Sequence, residues 1–214
     1  RFVGMVKGMK LLNLRAIPIA HDSSVYHVDE KEMEVIKKIE YKKHSTSPGV
    51  HVSKNVSLLN SKNFSSLKKF IIKKAKEYVR DVLEIKDEIY LTQSWSTINT
   101  TNAFHQPHEH SNTFISLVYY VQCKSGALCF HLTTTSIREC FNFQYTIDKY
   151  NIYNSQHWTI EVQTGDIVLF PAHIRHGSTP NKSPEPRITI GANFFIKGKL
   201  GSKEHINSIG IKPL

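Results

Sequence analysis

Apolar residues recur every three or four positions within residues 29–43, the spacing of one face of an amphipathic helix. Ile36 and Ile39 share that face, and Asp29 precedes it as a candidate N-cap. Residues 11–20 are mostly apolar but contain a proline, which is typical of an edge strand. The pattern therefore predicts a lead-in strand followed by a first helix.

A second and clearer helix is predicted over residues 67–82, where apolar side chains again recur at helical spacing. Asn63 or Ser65 can cap its start. The residues between the two helices, 44–62, are polar and include the turn pair Pro48-Gly49. We expect the apolar face of this second helix to cover one side of a sheet.

From residue 88 onward the pattern changes to short runs rich in β-branched and aromatic residues, separated by turn residues. These runs are 89–95, 113–122, 127–132, 158–162, 167–170 and 187–195. Short strands at this density predict an antiparallel sandwich or barrel. The expected organisation is one domain, in which residues 1–87 buttress a β-barrel core at 88–200 and residues 201–214 form a tail.

The composition is that of an ordinary globular protein. The chain has 214 residues, of which 40% are hydrophobic and 21% charged, and no apolar run approaches the roughly 18–20 residues of a membrane-spanning helix. Cys123, Cys129 and Cys140 form no CxxC pair, and an odd count argues against a disulfide framework. We therefore expect a reducing compartment, a cytoplasmic location and no membrane partner.

The formal net charge is +10, and much of it lies in residues 37–43 and 68–76. A basic surface attracts nucleic acid and other polyanions without sequence preference. However, no helix-turn-helix, zinc-finger or RNA-recognition pattern is present. Nucleic acid is thus a partner suggested by charge alone, and solvated helix faces explain the lysines equally well.

Candidate chemistry lies in two histidine-rich segments, His105-Gln-Pro-His108-Glu-His110 and His173-Ile-Arg-His176. Alternate residues of a strand share a face, so His108 and His110 can point together into a barrel. A third ligand from a distant strand, His176, would complete a metal site in which the three protein ligands occupy adjacent coordination positions. Imidazole suits Fe, Zn, Cu and Ni, and an open three-ligand site suits non-haem Fe(II).

A fixed cation follows this segment. Arg187 lies eleven residues after His176 and begins a β-rich run in which Thr189 falls on the same face. Arginine offers a planar fork of donors that matches a carboxylate. The spacing predicts an anion-binding side chain one strand away from the metal ligand.

Taken in order, these motifs resemble those of the Fe(II)/2-oxoglutarate-dependent oxygenases, especially a branch from marine bacteria and their phages. The resemblance covers about residues 91–196 and rests on an ordered set: Trp95, Asn99, His108-Glu-His110, Ser116-Leu-Val-Tyr119-Tyr120, Leu128-Cys-Phe130, Gly165-Asp-Ile-Val-Leu-Phe170-Pro171, His176 and Arg187-Ile-Thr189-Ile-Gly-Ala-Asn193-Phe194. Each piece alone is common, but the ordered set is fairly specific.

The resemblance implies a mainly β fold with N-terminal helices, the double-stranded β-helix, which is a jelly-roll or cupin-like barrel. It implies Fe(II) and 2-oxoglutarate as cofactors, release of succinate and carbon dioxide, and hydroxylation of a small-molecule or protein substrate. It also implies that His108 and His176 are iron ligands, and that Arg187 and Thr189 hold the distal carboxylate of 2-oxoglutarate. Tyr119 or Tyr120 would add a hydroxyl to that carboxylate.

One position departs from the superfamily, which normally has His-x-Asp or His-x-Glu. Here the third position is His110, so the predicted set is His108, His110 and His176. Glu109, or else His105, is the alternative middle ligand, although Glu109 would need a bulge to turn inward.

Candidate substrate-pocket residues are Trp95, Asn102, His131 and Asn193. Two other functions stay open at this point. One is a cupin-like three-histidine metalloenzyme that does not use 2-oxoglutarate, which His110 favours and Arg187 opposes. The other is a non-catalytic binding module whose lysines contact an acidic partner.

Overall fold

The structure is a computed structural model that describes residues 2–6, 9–12, 16–23, 25–131, 146–151, 154–201 and 208–213. Its strands are β1 (Phe2–Val6), β2 (Met9–Leu12), β3 (Ala20–Asp22), β4 (Tyr41–Lys43), β5 (Val50–Ser53), β6 (Glu88–Asn99), β7 (Ile115–Gln122), β8 (Ala127–His131), β9 (His157–Glu161), β10 (Ile167–Pro171), β11 (His176–Ser178), β12 (Arg187–Leu200) and β13 (Ile209–Ile211). Its α-helices are α1 (Glu30–Lys37) and α2 (Ser65–Glu77). Two 3-10 turns, Leu58–Asn60 and Lys62–Phe64, precede α2, and a π-helical turn, Tyr78–Val82, extends it.

Two antiparallel sheets form the core of the molecule. The major sheet has the order β3-β10-β7-β12-β6-β5-β4, and the minor sheet has the order β11-β8-β9. Leu128 and Phe130 of the minor sheet pack against Tyr120, Val168 and Phe170 of the major sheet in one apolar cluster. The predicted double-stranded β-helix with N-terminal helices is confirmed.

The other face of the major sheet is covered by the helices, and β12 shows how the two faces divide. Its residues Ile188, Ile190, Ala192 and Phe194 belong to the apolar cluster that contains the buried residues of α2. The intervening residues therefore face the minor sheet, because successive side chains of a strand point to opposite sides. This period of two places Arg187 and Thr189 on the side where a pocket can form. None of the helices described is long and apolar enough to cross a membrane.

The first predicted helix is shorter than expected. Asp29 caps α1 as predicted, accepting a hydrogen bond from the Glu32 backbone N–H at 2.7 Å, while the Glu32 side chain accepts one from the Asp29 N–H. The helix ends at Lys37, however, and residues 41–43 form β4, which pairs with β5. Pairing with a distant strand overrides the local helical pattern there.

The second helix begins and ends close to the predicted positions, but the predicted cap is wrong. Ser65 is the first helical residue, the N-cap is Phe64, and it makes no side-chain capping bond. Asn63 lies in the preceding 3-10 turn, whose own cap is Ser61. A continuous turn of 3-10 helix thus leads into α2, so a side-chain cap is not needed.

All six β-rich runs contain strands, and β6 and β12 are longer than predicted; Leu132, the end of one run, lies outside the described residues. Five strands were not predicted as such: β1, β4, β5, β11 and β13. The lead-in strand is shifted, since β2 ends at Leu12 and β3 begins at Ala20. Part of the predicted tail, residues 201–214, is held by hydrogen bonds, because β13 pairs with the end of β12.

Candidate metal centre

A cavity lies between the two sheets, on the face of the major sheet that points away from the helices. Its wall is formed by alternate residues of β6, β7 and β12, among them Trp95, Tyr120 and Arg187, and by histidines from the loops at one end. A second, more open hollow adjoins this end and is lined by His44, Gln93 and other polar residues. We call the first the inner cavity and the second the mouth.

His108, His110 and His176 meet where the inner cavity and the mouth join. His108 and His176 form an isolated antiparallel bridge, with each backbone N–H donating to the other's carbonyl at 2.9 Å. His110 follows two residues on, so its side chain lies on the same side as that of His108. The three potential ligand nitrogens all lie within 4.8 Å of one another.

Two of these imidazoles are oriented by main-chain carbonyls. The Nδ1 atom of His108 lies 2.8 Å from the Gln106 carbonyl, and that of His176 lies 2.8 Å from the Ile174 carbonyl. A carbonyl oxygen only accepts, so Nδ1 carries the proton in each neutral ring. The lone pair is then on Nε2, which is the arrangement that a metal-binding histidine requires.

The third imidazole is oriented by side chains. The Nδ1 atom of His110 lies 2.8 Å from both Asn193 Oδ1 and Ser116 Oγ. The Ser116 hydroxyl donates to the same Asn193 oxygen at 2.9 Å, and Asn193 Nδ2 donates to Gln93 Oε1 at 3.3 Å. The Asn193 oxygen is therefore the acceptor for His110, whose Nε2 is again left with its lone pair.

Burial keeps all three rings in the neutral form that can bind a metal. It lowers the pKa of His108 and of His176, and it lowers the pKa of His110 to about 4. Repulsion from His108 acts in the same direction on His110 and His176, and repulsion from Arg175 does so on His108. At neutral pH the protons therefore do not compete for the Nε2 lone pairs.

The two alternative middle ligands lie elsewhere. The Glu109 side chain is 54% exposed, and its Oε1 lies 3.8 Å from Nη1 of Arg175, on the outside of the barrel. His105 does line the inner cavity, but its ring packs edge-on against His44 and it is not among the three whose ligand atoms converge. The geometry thus brings together His108, His110 and His176, and it leaves Glu109 and His105 outside the cluster.

Arg187 lines the inner cavity and is only 2% exposed. Its guanidinium donates to Ser178 Oγ at 2.9 Å, to the Thr179 carbonyl at 2.8 Å and to the Ser125 carbonyl at 3.4 Å. Within the described part of the chain, no carboxylate lies within ion-pair distance of it. Burial lowers its pKa, so a buried cation with only neutral partners is a costly arrangement that an anion would relieve.

The two adjacent tyrosines of β7 point to opposite faces of the major sheet. Tyr120 lines the inner cavity, is buried, and among the residues described its hydroxyl has no hydrogen-bond partner. Tyr119 faces the helices, where its hydroxyl donates to the Tyr26 carbonyl at 3.0 Å and its ring contacts Phe70. The prediction that Tyr119 is an alternative cavity residue is therefore wrong, whereas Tyr120 and Thr189 do line the cavity.

Of the four candidate substrate-pocket residues, two lie at the site. Trp95 lines both the inner cavity and the mouth, with its ring edge-on to His110 at a centroid distance of 5.5 Å. Asn193 lines the mouth. Asn102 does not, since it takes a left-handed backbone conformation (φ 63°) and accepts a hydrogen bond from Lys182 Nζ at 3.1 Å.

His131 is the other pocket prediction that the structure contradicts. It lies on the outer face of the minor sheet, beside Cys129 and His157. Three contributors to the site carried no assigned role in the sequence: His44 at the mouth, Ser116 beside His110, and Gly126 against Arg187. Ser116 and Gly126 lie in or next to recognisable motifs, but nothing in the sequence near His44 indicates its position.

Residues 93–193 match the family described as "Putative 2OG-Fe(II) oxygenase". This range contains every residue assigned above to the inner cavity. The comparison with curated proteins gives no match.

Solved structures of three enzymes are similar in fold. HygX from Streptomyces hygroscopicus, with nickel, 2-oxoglutarate and hygromycin B bound, aligns with a TM-score of 0.55 at 12% identity, covering 83% of this chain and 82% of that one. A Pseudomonas putida prolyl-4-hydroxylase gives 0.54 at 11% identity, with 85% and 94% covered. A Trichoplax adhaerens prolyl hydroxylase, in complex with a hypoxia-inducible-factor peptide, gives 0.55 at 9% identity, with 83% of each chain covered.

The family match and the fold point to the same class of enzyme. Over residues 93–193 the chain matches the Fe(II)/2-oxoglutarate-dependent oxygenases, and its fold is similar to that of HygX, which was crystallised with nickel and 2-oxoglutarate bound. The narrower resemblance to a branch from marine bacteria and phages stays a prediction.

Proposed function

We propose that this oxygenase hydroxylates a small-molecule or peptide substrate that presents an uncharged polar group at the mouth. The mouth is lined by hydrogen-bonding side chains, including His44, Gln93, Ser111 and Asn193, and by the Trp95 ring. Among the described residues that line it there is no carboxylate, lysine or arginine. The lysine-rich α2 packs on the opposite face of the major sheet. The net charge of the chain is therefore weak evidence for an anionic substrate.

Fe(II) would be held by the Nε2 atoms of His108, His110 and His176. The fit rests on the donor set: three neutral imidazoles with converging lone pairs, each fixed through its Nδ1 atom. Imidazole is a good ligand for Fe(II), and three ligands on one side leave room for other groups. Because none of the three is charged, the charge of the iron must be balanced by the cosubstrate.

2-Oxoglutarate would be held at its distal carboxylate by Arg187, assisted by the hydroxyls of Tyr120 and Thr189. The observation that carries this assignment is the buried guanidinium of Arg187, which has no anionic partner among the described residues. The Tyr120 hydroxyl, which has no hydrogen-bond partner among the described residues, lines the same cavity. A dicarboxylate spanning the cavity from Arg187 to the histidine cluster would satisfy both groups.

Fe(II) and 2-oxoglutarate, when bound, supply the oxidation: oxygen is consumed, 2-oxoglutarate becomes succinate and carbon dioxide, and one oxygen atom enters a substrate C–H bond. The chain itself supplies orientation. The clamps on the three Nδ1 atoms fix the imidazoles, and Arg187 fixes the far end of the dicarboxylate. Val118 and Leu128 give the cavity apolar walls that limit the entry of water.

The test is an anaerobic titration of the metal-free protein with Fe(II) and then 2-oxoglutarate. A weak visible metal-to-ligand charge-transfer band should appear only when both are present. In Arg187→Met the same band should require much more 2-oxoglutarate. Tight Fe(II) binding without any band in the parent protein would refute the cosubstrate assignment and favour a three-histidine enzyme of the cupin type.

A further inference from the structure

A second group of metal-binding side chains lies on the outer face of the minor sheet. Cys129 and His131 are two residues apart on β8, so they share a face, and His157 is the direct cross-strand partner of His131 on β9. The alternate residues of β8, Leu128 and Phe130, belong to the apolar cluster between the sheets. The outer group is thus separated from the iron centre by the thickness of one sheet.

The three side chains already converge. The Cys129 sulfur and one ring nitrogen from each histidine all lie within 4.8 Å of one another. The two imidazole rings meet at a centroid distance of 4.5 Å, at an angle of 74°. Cys129 and His131 are half-buried and His157 is exposed, so the group can be reached from solvent.

We propose that Cys129, His131 and His157 bind a second metal ion of the Zn²⁺ type, with water as the fourth ligand. One thiolate and two imidazoles are a common ligand set for tetrahedral Zn²⁺, and the soft sulfur disfavours Mg²⁺ and Ca²⁺. Ligand atoms around a tetrahedral Zn²⁺ lie about 3.3–3.8 Å apart. Small side-chain rotations from the present positions reach that spacing.

The local electrostatics are compatible with a metal. Burial lowers the pKa of His131, with further lowering from His157 and Arg175, so that ring is neutral at pH 7. Burial raises the pKa of Cys129, so its thiol keeps its proton at pH 7 until a metal ion replaces it. Within the described part of the chain, Arg175 is the nearby cation that disfavours a bound ion, and Glu109, at 3.8 Å from it, partly offsets its charge.

A metal at this position would tie β8 to β9 and close the chain between His131 and His157. A cross-link that closes a long connection stabilises the folded state, because it reduces the conformational entropy of the unfolded chain. β8 also pairs with β11, the strand that begins at His176. The second metal therefore holds the sheet that carries one side of the iron centre, without touching that centre.

Co²⁺ added to the reduced, metal-free protein under anaerobic conditions tests this proposal. A thiolate ligand to Co²⁺ gives an intense charge-transfer band in the near ultraviolet, and a site with nitrogen ligands alone gives none. We expect about two Co²⁺ ions per chain and the thiolate band in the parent protein. His176→Ala should lose one ion but keep the band.

Variants at the outer group decide the assignment. Cys129→Ser should lose the thiolate band and bind one Co²⁺ ion fewer. His157→Ala changes an exposed position that does not endanger folding, and it should lose most of the thiolate band and most of the Co²⁺ binding at this site. Cys123→Ala is the matched control, since Cys123 is buried in the apolar cluster between the sheets, and it should keep the band. The Fe(II)–2-oxoglutarate band should be unchanged in Cys129→Ser, which separates this site from the iron centre.

The proposal is overturned if the parent protein gives no thiolate band. It is equally overturned if the band persists in Cys129→Ser or is unaffected in His157→Ala, because another thiol would then bind the ion.

Discussion

Gly126 and Arg187 pack so closely that a methyl group on Gly126 would lie 2.1 Å from Nη1 of Arg187. Gly126 also has a positive φ of 111°, in the turn before β8. The absence of a side chain here lets the guanidinium lie against the turn that contains Ser125, to which it donates. The position of the buried cation therefore depends on a glycine far from it in sequence.

Gly126→Ala should displace the Arg187 guanidinium and raise the KM for 2-oxoglutarate by roughly 10- to 100-fold, as expected for losing a charge-assisted contact of about 1.5–3 kcal/mol. Fe(II) affinity should hardly change. Gly198→Ala is the matched control, because Gly198 has a similar φ of 100° but no neighbour within 4 Å of an added methyl group. Equal effects in the two variants would mean that backbone strain, and not Arg187, is responsible.

Arg187→Met should raise the apparent KM for 2-oxoglutarate by roughly one to three decades, since the bidentate pair with the distal carboxylate is lost. Arg187→Lys should keep only part of the affinity for 2-oxoglutarate, because an ammonium group cannot form the bidentate pair with a carboxylate. Conversion of 2-oxoglutarate to succinate without a second substrate is the measurement, and it does not require the substrate to be known. In the absence of 2-oxoglutarate, Arg187→Met should not lower the Tm, because it removes a buried charge that has no carboxylate partner among the described residues. A large fall in Tm would point to a structural role.

Tyr120→Phe and Tyr119→Phe form a matched pair on adjacent residues. Tyr120→Phe should raise the KM for 2-oxoglutarate by up to about tenfold, the worth of one hydrogen bond of about 0.5–1.5 kcal/mol. Tyr119→Phe should leave that KM unchanged and lower the free energy of unfolding, since it leaves the Tyr26 carbonyl without its donor. Succinate formation and thermal unfolding of both variants are the measurements, and an effect of Tyr119→Phe on KM would contradict the assignment.

His108→Ala and His176→Ala should each lose tight Fe(II) binding while remaining folded. Neither side chain belongs to an apolar cluster, although the buried ring of His176 packs against Phe170 at a centroid distance of 4.5 Å. Equilibrium dialysis with Fe(II) under anaerobic conditions, together with circular dichroism, measures both properties. His173→Ala, a nearby histidine outside the cluster, is the control and should bind iron normally. A His108 or His176 variant that binds iron like the parent is removed from the ligand set.

His110→Ala should weaken Fe(II) binding, whereas His110→Asp should keep it, because a carboxylate restores the more common ligand pattern of the superfamily. Asn193 and Ser116 bond to each other at 2.9 Å, so they remain satisfied in part when the imidazole is gone. The measurement is the Fe(II) dissociation constant of each variant. If His110→Ala binds iron as tightly as the parent, the ligand set must be revised toward His105.

The fold class could be predicted because alternating and helical periods reflect burial directly. The end of α1 could not, since residues 41–43 become β4 only by pairing with β5. The tyrosines show a different limit. In β7 nearly every residue is buried on one face or the other, so the sequence lacks the polar alternation that would tell the cavity face from the helix face.

The site was predictable where spacing alone fixes direction. The i, i+2 relation placed His108 and His110 together, and the same relation aligned Arg187 with Thr189. The prediction that His131 faces the cavity was wrong. Which residues of β8 face the cavity depends on the pairing of β8 with β11, and no local pattern in the sequence reveals that pairing. The ligand roles themselves stay predictions until iron binding is measured.

The Nδ1 contacts of the three histidines divide the centre into a fixed part and an adjustable part. His108 and His176 are oriented by main-chain oxygens, which every residue type supplies, so substitutions at Gln106 or Ile174 leave those acceptors in place. Among the residues described, His110 is oriented only by the side chains of Asn193 and Ser116. Substitutions at these two positions can therefore alter the basicity and angle of one imidazole alone, and in the proposed centre this is the ligand through which natural variation would tune the redox properties of the iron.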